Sequence, residues 1–229
     1  MARELFETFT IAQALPTMAI VTMAAGLGKT TAAEAYQNQR PHVVLITLSP
    51  SILTHNKVLG EILEELGLQN IDKSRTRHNV TKALKRSGGN SLVIVDEAQN
   101  LDADCINELR VAVRDLGRSG LVLLGNEEKK TSYGSAGNKG GSPQLSRRVM
   151  ARTTAMKVYE EDIPTFLDAW GLEDSALRTA ATIILKKPGA YGSLTETLVA
   201  ASMIARGNNR SLTVDDLRAA YRRRGEGDI

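Results

Sequence analysis

Apolar and polar positions follow two regimes along this chain. As far as residue 160, short apolar runs alternate with longer stretches whose apolar residues recur at helical spacing. The runs "TMAIVTM" (17–23), "HVVLITL" (42–48), "SLVIVDEA" (91–98), "GLVLLGN" (120–126) and "RTTAMKVY" (152–159) predict five strands. Residues 3–13, 29–38, 54–67, about 74–87 and 102–117 predict helices; Val58, Leu59, Ile62, Leu63 and Leu66 mark one face of the third. Beyond residue 160 the strand signals stop. Residues 161–170, 173–186, 193–206 and 213–224 predict helices, the last with Thr213 as its N-cap. Apolar runs interleaved with helices predict an α/β fold, a parallel sheet covered by helices. The helical tail predicts a small second domain, so the expected division is 1–160 and 161–229.

Composition narrows this picture only slightly. Among 229 residues, 42% are hydrophobic and 4% aromatic, so Leu, Ile, Val and Ala must fill the core. The formal net charge of +3 and pI of about 9.0 are mildly basic, which leaves local clusters to decide about nucleic acid. The one cysteine, Cys105, lies in a helical pattern with no ligand partner nearby, so a buried structural thiol is expected. No run reaches the roughly 18 apolar residues of a membrane span, and "MARELFETFT" has no signal-peptide pattern. An intracellular, reducing compartment, without a membrane partner, is expected.

Candidate chemistry begins at "MAAGLGKTT", residues 23–31, between the first strand and the next helix. The phosphate-binding loop pattern is G-x-x-x-x-G-K-[ST], and Met23 stands at its first position. Gly26 and Gly28 let the backbone curl, so that successive N–H groups, including that of Leu27, can face an anion. Lys29 suits the β- and γ-phosphates of ATP, Thr30 suits Mg²⁺, and Thr31 suits the α-phosphate or a helix cap. Asp96 and Glu97 end the third apolar run, where open α/β sheets bind ligands. Asp96 can hold Mg²⁺ through water, and Glu97 can polarise a water aimed at the γ-phosphate. Asn126 ends the fourth run and can orient that water. Arg147 and Arg148 precede the fifth run; in ring or filament ATPases an arginine there reaches the neighbour's nucleotide.

These motifs, with "ELFETFTIAQALPTMAIVTMAAGLGKTTAAEAY", "LVIVDEAQNLDADCINELR", "GLVLLGNE", "LSRRVMARTTAMKV", "DAWGLED" and "KKPGAYGSLTETLVAA", give the chain a family likeness. It resembles the AAA+ ATPases of DNA transposition of the phage Mu B type over roughly residues 4–225. The resemblance implies an AAA+ P-loop NTPase core, with a parallel sheet in the order 5-1-4-3-2, and a small helical lid. It implies an ATP-bound homo-oligomer, a helical filament or ring on double-stranded DNA, that selects target DNA and delivers it to a transposase. The transposase would in turn stimulate hydrolysis. Two positions depart from the family pattern: Met23 replaces the first glycine of the loop, and Tyr191 and Gly192 follow "PGA" where an arginine often stands.

Candidate DNA contacts are basic. Lys73, Arg75, Arg77, Lys82, Lys85 and Arg86 lie in "KSRTRHNVTKALKR", which has no acid. Lys57 starts the preceding helix, and Lys129, Lys130 and Lys139 lie in a long polar loop after Asn126. Point charges of this kind bind phosphates without reading bases, so little sequence preference is expected. Two other readings stay open on the residues alone. One is a helicase-loader-like accessory ATPase, the other a nucleotide-regulated DNA-binding module with little turnover.

Overall fold

The computed structural model describes residues 1–49, 54–68, 75–126 and 149–229. The chain forms two compact units: Ala2–Met23 with Lys29–Thr154, and Met1 with Ala24–Gly28 and Ala155–Ile229.

The first unit is built on a sheet. Its elements are α1 (Ala2–Ala14), β1 (Met18–Met23), α2 (Lys29–Gln39), β2 (Val43–Thr47), α3 (His55–Glu65), α4 (Thr76–Arg86), β3 (Leu92–Asp96), α5 (Ala103–Leu109), β4 (Gly120–Gly125) and β5 (Val149–Ala155). The strand order β2-β3-β4-β1-β5 is the expected order read from the other edge. β1 pairs with β4, β4 with β3 and β3 with β2, all parallel. Every residue of β3 and β4 is buried, which is why both read as unbroken apolar runs. Val58, Leu59, Ile62 and Leu63 of α3, and Val80 and Leu84 of α4, join them in one core. On the other flank, Tyr36 of α2 meets the rings of Phe6 and Phe9 of α1 edge-on, each at 5.3 Å. The Tyr36 hydroxyl donates to Gln13 Oε1 at 2.8 Å, so the buried ring keeps its polar end satisfied.

Order and register decide what the strand ends bring together. Thr47 is opposite Asp96 and Thr22 is opposite Gly125. The carboxyl ends of β1, β3 and β4 therefore lie side by side, at the switch point where an open α/β sheet binds ligands.

Three boundaries differ from the sequence expectation. The fifth strand is Val149–Ala155 rather than 152–159, because Val158 packs into the helical core that follows. The helix expected over 102–117 is α-helical only to Leu109 and continues as a π-helix over Arg110–Leu116, with Gly117 N–H donating to Ala112 O at 3.0 Å. Hydrophobic spacing alone does not separate those two windings. The helix expected from 193 starts at Ala190, directly after Gly189 with its φ of 84°. Cys105 is buried, and desolvation pushes its thiol up to about 11, as a structural thiol requires.

The second unit is helical: α6 (Asp162–Ala169), α7 (Ser175–Leu185), α8 (Ala190–Gly207) and α9 (Val214–Arg223). Leu167, Leu177, Ile184, Leu194, Leu198, Leu217 and Tyr221 are among the residues of its own core. Asp174 caps α7 by accepting from Leu177 N–H at 2.8 Å. Thr213 caps α9 as expected, in a capping box with Asp216. Asp216 is 3% exposed and takes two bonds from Arg210, at 2.5 and 2.7 Å. The Arg210 hydrogen bonds, then those from Thr213, hold its carboxyl well below the usual carboxylate range.

Two predictions follow from this packing. Met23 is the last residue of β1 and its side chain is fully buried. Its φ is not positive, so its backbone conformation does not call for glycine. Met23→Gly should lower stability by roughly 2–5 kcal/mol in chemical denaturation, as large core truncations do, without tightening nucleotide binding tenfold. Thr213→Ala should cost about 1 kcal/mol. The contribution of Asp216 is present above the unfolded carboxylate pKa of about 3.9 and is lost as pH falls towards its lower folded value. Asp216→Asn should therefore flatten the acid limb of the melting profile.

Candidate functional site

The carboxyl ends of β1, β3 and β4 carry most of the expected site. Lys29 opens α2 and is only 6% exposed. Its Nζ donates to Met23 O at 3.0 Å and to Asn126 Oδ1 at 2.6 Å. Burial lowers the pKa of this ammonium, and the charges of Asp96 and Glu97 oppose that shift. Thr30, one residue on, donates its hydroxyl to Asp96 Oδ2 at 2.5 Å. Asp96, 1% exposed, also accepts from Glu97 N–H at 2.8 Å. Lys29, Thr30, Asp96, Glu97 and Asn126 are thus brought together as the motif reading required.

Met23 sits in this cluster through its backbone. Its side chain faces the core while its carbonyl receives the lysine. The first loop position is thus a strand end, and the turn is made further on. Gly26 and Gly28 have φ values of 77° and 83°, which favour glycine. Gly26 is constrained twice over. Within the helical unit a Cβ there would lie 1.9 Å from Gly189 O, and Gly192 N–H donates to Gly26 O at 3.0 Å. Leu27 is 3% exposed. Thr31 is exposed in the first turn of α2.

Glu97 leaves β3 with φ 55° and ψ 32°, a left-handed conformation that is strained for a residue with a Cβ. A single 3₁₀ turn, Ala98–Asn100, follows. Sequence reading assigned no role to the glutamine in this turn. Gln99 Nε2 donates to Glu97 Oε2, and Gln99 Oε1 accepts from Asn126 N–H at 3.1 Å. The only signal in the sequence was its place two residues after the paired acids. What it binds became visible only when β4 was set beside β3.

Thr30 and Asp96 are the residues that could contribute to holding a divalent cation. A hydroxyl and a carboxylate oxygen converge to 2.5 Å, and hard oxygen donors are what Mg²⁺ takes. Among the described residues, no group of three or more His, Cys, Asp or Glu is set to hold a metal. Any ion here would therefore complete its shell with water and phosphate.

Tyr191 stands where the arginine was looked for. Its ring packs against Phe166 at 4.7 Å, and burial raises its phenol to about 12. It is neutral at physiological pH and brings no positive charge. Among the basic candidates, Lys57, Arg75, Arg77, Lys82, Lys85 and Arg86 are exposed. On α4 the buried stripe is Thr76, Val80 and Leu84, so its cations face away from the core. Arg77 is paired with Glu108 at 3.3 Å. Lys73, Lys129, Lys130, Lys139, Arg147 and Arg148 lie outside the described residues.

Comparison with known proteins agrees with this geometry. Residues 14–130 match the AAA domain family, and residues 147–223 match the family described as Mu B transposition protein, C terminal. The ATP-dependent target DNA activator B of Escherichia phage D108 and that of Escherichia phage Mu are each 31% identical over 222 residues, spanning 96% of this chain and 70% of theirs. The Mu-like prophage FluMu DNA transposition protein B of Haemophilus influenzae is 33% identical, over 86% of this chain and 69% of its own. In fold, the chain is similar to the Aeropyrum pernix ORC2 protein solved in ADPNP–ADP complexes, with a TM-score of 0.73 and 16% identity over 100% of this chain and 68% of that one. It is also similar to domain III of the Thermotoga maritima replication initiation protein DnaA, with a TM-score of 0.61 and 12% identity over 97% of this chain and 90% of that one. The chain is an AAA-domain protein and belongs to the Mu B transposition protein family.

Proposed function

We propose that this protein is an ATP-dependent DNA-binding ATPase that oligomerises on double-stranded DNA without marked sequence preference. It selects and delivers target DNA and activates a transposase in the cytoplasm of a bacterial host. The reading rests on one observation above all: Lys29, Thr30, Asp96, Glu97 and Asn126 converge at adjoining strand ends. The names of its phage relatives, ATP-dependent target DNA activators, support a part in target-DNA activation.

The residues divide the work by chemistry. The N–H groups from Gly26 to Thr31 would cradle phosphate oxygens at the start of α2, with Lys29 moving from its protein acceptors to the β- and γ-phosphates. Thr30 and Asp96 would hold Mg²⁺, which would supply positive charge to the phosphates. Glu97 would take the proton of the attacking water, and Asn126 would orient that water. Arg147 or Arg148 would reach the nucleotide of a neighbouring subunit. Exposed cations of α4, with Lys57, Lys73, Lys129, Lys130 and Lys139, would lie along DNA phosphates. No helix among the described residues is long and apolar enough to cross a membrane. A neutral Tyr191 favours one second reading, a nucleotide-regulated DNA-binding module with little turnover.

The two readings separate on turnover. Glu97→Gln should keep nucleotide binding within about twofold and slow hydrolysis by on the order of 10²-fold or more, the usual worth of a general base. Absence of hydrolysis by the wild-type protein with both DNA and transposase present would leave only the binding module. Lys29→Ala should abolish nucleotide binding and DNA filaments together; filaments formed equally well by that variant, seen by electron microscopy, would refute ATP gating. Replacing Lys82, Lys85 and Arg86 together with Ala should reduce the slope of log affinity against log salt. If each touches one phosphate, the loss is about 0.9 per residue. An unchanged slope would remove α4 from the DNA interface.

A further inference from the structure

We propose that Gln99 is a positioning residue for ATP hydrolysis, locking Glu97 and Asn126 into one hydrogen-bonded frame. The inference rests on the ATPase reading above and adds a residue to it.

The argument starts from what a glutamine amide can do. It donates and accepts at once, in one plane, from one side chain. Gln99 uses both capacities, and on different strands' ends: it donates to the Glu97 carboxylate after β3 and accepts from Asn126 N–H after β4. The partners fix the orientation of the amide, since a carboxylate only accepts and a backbone N–H only donates. Asn126 in turn accepts Lys29 Nζ at 2.6 Å through Oδ1. Gln99 therefore links the Glu97 carboxylate to the main chain of Asn126, the residue whose side chain holds Lys29.

The turn that carries Gln99 does not need its side chain. Asn100 N–H donates to Glu97 O at 3.0 Å and Leu101 N–H to Ala98 O at 3.0 Å. Glu97 N–H is taken by Asp96, and Ala98 is fully buried as the anchor. With these backbone groups of the turn satisfied, the two bonds of Gln99 go outside it, to the Glu97 carboxylate and the Asn126 N–H.

The consequence is orientational. A glutamate on a left-handed residue has three side-chain torsions to fix before its oxygen can meet a water in line with the γ-phosphate. Gln99 occupies Oε2, so Oε1 is the oxygen presented to that water. The same amide ties the position of Asn126 to that of the carboxylate. A misplacement of about 1 Å can cost on the order of 10²-fold in rate, so losing this tie should show in turnover and not in binding.

The test is a double-mutant cycle on the full chain, with single-turnover hydrolysis and fluorescent-nucleotide binding as the two readouts. Gln99→Ala should lower the hydrolysis rate by about 10- to 100-fold. Nucleotide affinity should stay within about twofold, which also reports that the variant is folded. Gln99→Glu keeps an oxygen for Asn126 but cannot donate to Glu97, and should be at least as slow as the alanine variant. In a Glu97→Gln background, removing Gln99 should cost clearly less than in the wild type, because the carboxylate it positions is gone and only its bond to Asn126 remains to be lost. A wild-type rate in Gln99→Ala, rescue by Gln99→Glu, or an undiminished loss in the Glu97→Gln background would overturn the proposal while leaving the ATPase reading intact. A wild-type protein that does not hydrolyse ATP would overturn both.

Discussion

A buried ammonium sets the terms for this structure. Lys29 is placed by the start of α2 at the carboxyl edge of a parallel sheet, with 6% of its surface exposed. A charge taken out of water and left unpartnered costs several kcal/mol, so it must find acceptors. It finds a strand-end carbonyl at Met23 and a side-chain amide at Asn126, while two carboxylates stand close enough to sustain its charge. Those partners come from β1, β3 and β4, and they meet only because the strand order puts these three side by side. The geometry of the site is therefore a consequence of sheet order, and the lysine is well placed to move to a stronger anion.

The same edge of the sheet stores strain. Glu97 adopts a left-handed backbone that a glycine would take at no cost. The conformation turns the chain out of β3 at once, so that the carboxylate of Asp96 remains at the strand end and that of Glu97 is carried away from it. Hydrogen bonds on both sides hold the turn: Asp96 takes the Glu97 N–H, and Asn100 closes the 3₁₀ turn behind it. Two adjacent acids are in this way given different surroundings, one nearly inaccessible and one partly open.

The helical unit has its own core and its own electrostatic anchor, the Arg210–Asp216–Thr213 group. It includes the loop residues Ala24–Gly28, and the contact is backbone against backbone: Gly192 N–H to Gly26 O, and Gly189 O against the Gly26 Cα. Only a glycine at position 26 permits that approach. A motif that looks from its pattern like a pure phosphate device is thus also a packing element.

The sequence by itself determined where strands and helices fall, because burial on both faces of β3 and β4 writes an unbroken apolar run and one-sided burial of α3 writes a helical stripe. It singled out Lys29, Thr30, Asp96, Glu97 and Asn126 as one candidate site, because those residue types at strand ends have few other uses together. Their convergence, and with it the bonding of Gln99, needed strands 25 and more residues apart to be neighbours, which no local pattern encodes. The tertiary structure also decided the fate of ambiguous apolar residues. Met23 became core where the motif had suggested loop, and Val158 joined the helical core where the run had suggested strand. The π-winding of Arg110–Leu116 was equally invisible, since one extra residue in a turn shifts the hydrophobic stripe by less than the spread of the pattern. In each case the deciding quantity was which surface the side chain could reach, and that is set by packing across the fold rather than by neighbours in the chain.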